Sequence, residues 1–91
     1  MAKMYLTFKI MPTSPDIDLK ELEEKVKSQL EELGGKFSKS ETQPVAFGLK
    51  ALLVTFMFDE SVSTDELEEK LSENEEEINS ISVVDMRRAF G

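Results

Sequence analysis

At 91 residues the chain has room for one domain, spanning 1–91, with a single hydrophobic core. Its 19 acidic and 11 basic residues give a net charge of −8, which argues against a general basic face for nucleic acid or an anionic membrane. It has no cysteine and no histidine, so disulfides, thiolate metal sites and the usual near-neutral acid or base are excluded.

Met4, Leu6, Phe8 and Ile10 alternate with Tyr5, Thr7 and Lys9, which predicts a half-buried strand over residues 4–10. This segment does not read as a cleaved leader, and no run approaches membrane-spanning length, so a cytoplasmic protein is expected. Pro12 and Pro15 bracket a polar turn. A helix then starts at Asp18, an N-cap with Glu21 completing a capping box and Ile17 and Leu22 set as a hydrophobic staple. Its apolar stripe, Leu19, Leu22, Val26, Leu30 and Leu33, runs to a left-handed cap at Gly34-Gly35.

Residues 36–42 alternate weakly and carry Lys36 and Lys39, as an edge strand does. Pro44 cannot donate to a ladder, so residues 44–50 are expected to form an irregular hairpin tip. Phe47, next to Gly48, either folds back onto the core or stands out as an aromatic anchor. The charge-free run Ala51 to Phe58 is the strongest strand signal and suits the centre of a sheet.

A second helix is signalled by Ser63 with Glu66, and by Val62 with Leu67 as a second staple. Its stripe is short, Leu67 and Leu71, and the acidic run from Asp65 to Glu77 reads either as a solvated face and exit loop or as charge that attracts a basic partner. The last strand covers residues 80–88, where the slip between Val83 and Val84 suggests a bulge or burial on both sides. Arg87 and Arg88 read either as ordinary surface charges or as partners of nearby glutamates.

The order strand, helix, strand, strand, helix, strand predicts an α+β, ferredoxin-like βαββαβ sandwich. It has four antiparallel strands, the first and third central, and both helices on one face. The open face is expected to show Tyr5, Thr7, Lys9, Leu53, Thr55 and Met57, and one tyrosine is too few for an RNA-stacking platform. No glycine-rich phosphate loop is present, and glutamates at helix spacing are surface charge rather than acid–base pairs, so neither turnover nor a bound cofactor is expected. A protein-binding module remains, or else a small ligand-binding regulatory domain that dimerises through its open sheet face.

The segment Pro44-Val45-Ala46-Phe47-Gly48-Leu49-Lys50 resembles translation elongation factor 1-beta in its short archaeal form. So do Lys9-Ile10-Met11-Pro12, Pro15-Asp16-Ile17-Asp18-Leu19 and the ending Asp85-Met86-Arg87-Arg88-Ala89-Phe90. The resemblance covers nearly the whole chain. It implies a guanine nucleotide exchange factor that promotes GDP release from elongation factor 1-alpha, with no nucleic acid or membrane as direct partner. It also implies that Phe47, Gly48 and Lys50 touch that GTPase. Longer relatives carry a lysine near the C-terminus that reaches towards the magnesium site. This chain has none there, and Arg87, Arg88 or Phe90 are the candidates to take its place.

Overall fold

The run that begins at Ala51 lies where its lack of charge requires, in the interior of a four-stranded antiparallel sheet. The computed structural model describes residues 3–74 and 76–89. Its strands are β1 (Lys3–Pro12), β2 (Lys36–Pro44), β3 (Lys50–Asp59) and β4 (Ile78–Ala89), with helices α1 (Leu19–Glu32) and α2 (Thr64–Ser72). The sheet order is β2-β3-β1-β4, so the two most apolar strands are central and the lysine-bearing β2 is an edge, as expected.

Side-chain alternation sorts the two faces. Leu6, Phe8 and Ile10 of β1 pair with Phe56, Val54 and Leu52 of β3, and all six are buried. Leu22, Val26 and Leu30 of α1, with Leu67 and Leu71 of α2, close over them as one core. Burial of each such side chain contributes roughly 1.5–3 kcal/mol, which fixes register, because a one-residue slip would expose the whole set.

Both helix starts obey their sequence signals. The Asp18 carboxylate accepts from the amides of Lys20 at 2.9 Å and Glu21 at 3.4 Å, and the Ser63 hydroxyl accepts from Glu66 N–H at 3.5 Å. Each is half of the expected box: among the described residues no hydrogen bond returns from Glu21 or Glu66 to the cap amide. α1 ends in a Schellman arrangement, with Gly34 at φ +95° and the Gly35 amide donating to Leu30 O at 2.9 Å.

The strands outrun their sequence signals. Pro12, expected in the turn, is the last residue of β1; pairing with β3 ends after Ile10, so only β4 lies beside the missing donor. In β4 the suspected slip is a bulge: Val83 pairs with Phe8 and Asp85 with Thr7, leaving Val84 as the extra residue. That insertion shifts parity, so Met86 and Arg88 join Ile81 and Val83 on the helix side while Asp85 and Arg87 take the open side. No described helix is long and apolar enough to cross a membrane.

Candidate functional site

The sheet parts into two strand pairs at the hairpin end. The last β1–β3 pair is Ile10 with Leu52; beyond it β1 stays paired with β4 to Pro12 with Ile78, while β2 and β3 stay paired to Pro44 with Lys50. Beyond that pair, Ala46–Gly48 makes one 3₁₀ turn. It is closed by the Leu49 amide donating to Ala46 O at 3.2 Å and the Val45 amide donating to Leu49 O at 2.9 Å. Gly48 sits at φ +76°, and a Cβ added there would meet nothing within 4 Å, so glycine is needed for the backbone angle and not for space. The turn residue Phe47 lies beyond the last β2–β3 pair; its side chain lies outside the described structure. Gly48 and Lys50 face the start of α1, lining a groove with Pro12, Pro15, Ile17 and Lys20.

At the opposite end of the sheet, where Lys3 pairs with Asp59 and Ala89, stand the two arginines. They are adjacent in sequence and divided by the sheet. Arg87 lies opposite Tyr5 on the open face, its Nε 3.0 Å from Asp85 Oδ2. Arg88 lies opposite Met4 on the helix side, reaching Glu60 Oε2 at 3.3 Å. Beside them Asp59 accepts from Ser61 N–H at 3.1 Å and Ser61 Oγ at 2.9 Å. Those two hydrogen bonds, with Lys3 nearby, hold its carboxyl below the usual carboxylate range despite the opposing effect of partial desolvation. Phe90 lies outside the described residues.

Of the sequence candidates, Phe47, Gly48 and Lys50 therefore gather at one end and Arg87 and Arg88 at the other. Sequence reasoning read Val84 only as part of a slip and did not single out Met86; on β4 before the arginines they are 51% and 57% exposed. The signal was present in the spacing: Ile81, Val83 and Met86 change parity, and a strand can do that only by a bulge.

Residues 5–89 match the model of a family described as the EF-1 guanine nucleotide exchange domain. The chain belongs to that family. Proteins named elongation factor 1-beta are similar to it over three quarters or more of their length. That of Methanosphaera stadtmanae is 36% identical over 88 residues, covering 97% of this chain and 98% of the relative. That of Methanothermobacter thermautotrophicus is 38% identical over 89 residues, with the same coverage. The Pyrococcus furiosus protein reaches 46% over 70 residues, covering 75% of this chain and 76% of its own. Among solved structures, the C-terminal domain of the MgtC protein from Mycobacterium tuberculosis superposes with a TM-score of 0.65, covering 97% of this chain and 88% of that one. At 9% identity that is a likeness of fold alone. The match to the exchange family takes in both the hairpin tip and the two arginines.

Proposed function

We propose that this chain promotes release of GDP, and so its exchange for GTP, from elongation factor 1-alpha during translation elongation. The observation that carries the reading is the family match over residues 5–89, which spans every element of the sheet. Exchange needs no covalent step by this chain. It needs preferential binding of the nucleotide-free GTPase, because only a difference in affinity between two states moves the equilibrium between them.

The geometry supports a grip at two separated points. At one, the 3₁₀ turn holding Phe47 and Gly48, with Lys50 behind it, offers a shaped feature beside the start of α1 for a partner to contact. At the other, Arg87 and Arg88 bring guanidinium groups to the end of β4; Phe90, the remaining candidate, lies outside the described residues. Cations delivered near a bound magnesium and diphosphate compete for the same charge and weaken retention of the nucleotide. The long dimension of the molecule, 42 Å against 22 and 18 Å, suits a partner built of more than one domain.

The test is stopped-flow release of a fluorescent GDP from purified elongation factor 1-alpha, with this chain, without it, and with a Phe47→Ala variant. Release is expected to accelerate with the unmodified chain, and the variant is expected to lose most of that acceleration while keeping its melting temperature. Release at the intrinsic rate in the presence of the unmodified chain rules the reading out.

A further inference from the structure

The overall charge conceals a strong polarity. On the open face of the sheet, alternation together with the register shifts after Phe37 in β2 and at Val84 in β4 places Lys3 and Lys9 of β1, Lys36 and Lys39 of β2, and Arg87 of β4. Among the described residues three strand carboxylates share that face, Glu41, Asp59 and Asp85. The face is thus net positive by two charges in a chain of net charge −8, and the helix layer and loops carry the whole acidic excess. Three of its cations already have partners: Lys3 lies 4.0 Å from Asp59, Lys39 3.7 Å from Glu41 and Arg87 3.0 Å from Asp85. Among the described residues, Lys9 and Lys36 have no carboxylate within ion-pair distance.

The centre of this face is not a solvated polar surface. Tyr5 pairs with Met57 and Lys9 with Leu53, and the Thr7 and Thr55 hydroxyls satisfy each other at 2.9 Å. An apolar centre with hydroxyls paired internally and cations around it is the anatomy of a protein interface, in which a desolvated middle is ringed by charge that steers the encounter. For a nucleic acid the face is poorly equipped, with a single aromatic ring and three interspersed carboxylates.

We infer that the open sheet face, centred on Tyr5, Leu53 and Met57 and flanked by Lys9 and Lys36, docks against an acidic surface of the partner GTPase. It would join the two end contacts into one continuous interface, with the acidic helix layer turned outwards. The inference rests on the exchange reading and narrows its set of contacts: Arg87, on the open face, lies inside the contact, whereas Arg88, held by Glu60 on the helix side, and Lys50, facing the start of α1, lie outside it.

Charge-matched substitutions test this. Lys9→Glu and Lys36→Glu place reversals at two positions on the open face, and Lys70→Glu makes the same change in net charge on α2; each is checked by melting temperature. GDP release from elongation factor 1-alpha is then measured against exchange-factor concentration at low and high salt. The open-face reversals are expected to raise the half-saturating concentration on the order of 3- to 10-fold at low salt, with the saturated rate unchanged and the effect shrinking as salt rises. Lys70→Glu is expected to leave both parameters near those of the unmodified chain. Equal weakening by all three variants would mean a general field effect and overturn the inference, as would no weakening by any. Competition by a labelled oligouridylate at micromolar concentration would reassign the face to nucleic acid and overturn it as well. If the unmodified chain accelerates release and only this pattern fails, the docking face alone is lost; if it does not accelerate release, the exchange reading falls and takes the docking face with it.

Discussion

The two ends of the sheet are built by different physics. At the hairpin tip, the turn from Val45 to Leu49 contains no charged residue, and its form is set by backbone: Pro44 ends the ladder, one 3₁₀ turn follows, and Gly48 supplies the positive φ. At the β4 end the backbone is extended strand, and what distinguishes it is charge, with Lys3, Asp59, Glu60, Asp85, Arg87 and Arg88 arranged in pairs. The tip presents a shape that can be right or wrong, whereas the other end presents a field that is graded and salt-dependent. A partner gripped at both is discriminated twice, by independent criteria.

Glycines sharpen the contrast, because each end uses one for a different reason. Gly35 lies at the β4 end, where an added Cβ would come within 2.5 Å of Phe58 Cζ and 2.9 Å of Leu30 O. Phe58 is buried and Leu30 O is backbone, so neither can yield without repacking. Gly35→Ala is therefore expected to destabilise the fold by about 1–3 kcal/mol, read as a lower midpoint in urea with unchanged slope. A neutral result would mean that the junction of α1 and β2 moves freely, and would remove packing as the reason for this glycine.

Gly34 and Gly35 also show how much was legible in advance. Their adjacency after an apolar stripe announced a helix cap, and the cap is there; that Gly35 is required by a phenylalanine 23 residues further on could not be read from a local pattern. The same division holds elsewhere. Strand order, core faces and N-caps followed from periodicity, because burial enforces it at every step. The tip was visible only as an irregularity at Pro44, and its 3₁₀ turn is a hydrogen-bond arrangement that composition does not encode. Least legible was the opposition of Arg87 and Arg88: on a regular strand they would still face opposite sides, but which one faces the helices depends on the bulge at Val84. The basic bias of the open face was hidden for a related reason, since a net charge of −8 says nothing about how the strands sort their cations.

At the tip the corresponding substitution has a different expected signature. Gly48→Ala meets no steric obstacle, and its cost is the left-handed backbone alone, roughly 1–2 kcal/mol. Relief is available locally, by remodelling the turn, so global stability is expected to fall less than with Gly35→Ala. The acceleration of GDP release, by contrast, is expected to fall markedly. If Gly48→Ala lowered the urea midpoint as much as Gly35→Ala and left exchange intact, the tip would be a structural corner and not a shaped contact.

The smallest expected effect belongs to Asp59, and it separates the ends by pH. Its carboxylate accepts two hydrogen bonds from Ser61 and lies 4.0 Å from Lys3, interactions that favour the charged form and lower its folded-state pKa. A carboxyl whose pKa is depressed on folding contributes stability that is fully present above its unfolded value of about 3.9 and is lost as pH falls through the folded value. The contribution is therefore constant near neutrality and fades only in acid. Asp59→Asn keeps an acceptor for Ser61 but discards the charge, so the melting temperatures of the two proteins are expected to differ slightly at neutral pH and to converge in acid. In an NMR titration the Ser61 amide is expected to shift with a midpoint below the ordinary aspartate value, while the Val45 and Leu49 amides stay still, because the turn between them contains no carboxylate. Parallel movement of all three would show that the two ends are coupled through the sheet, and that shape and charge are not independent criteria in this molecule.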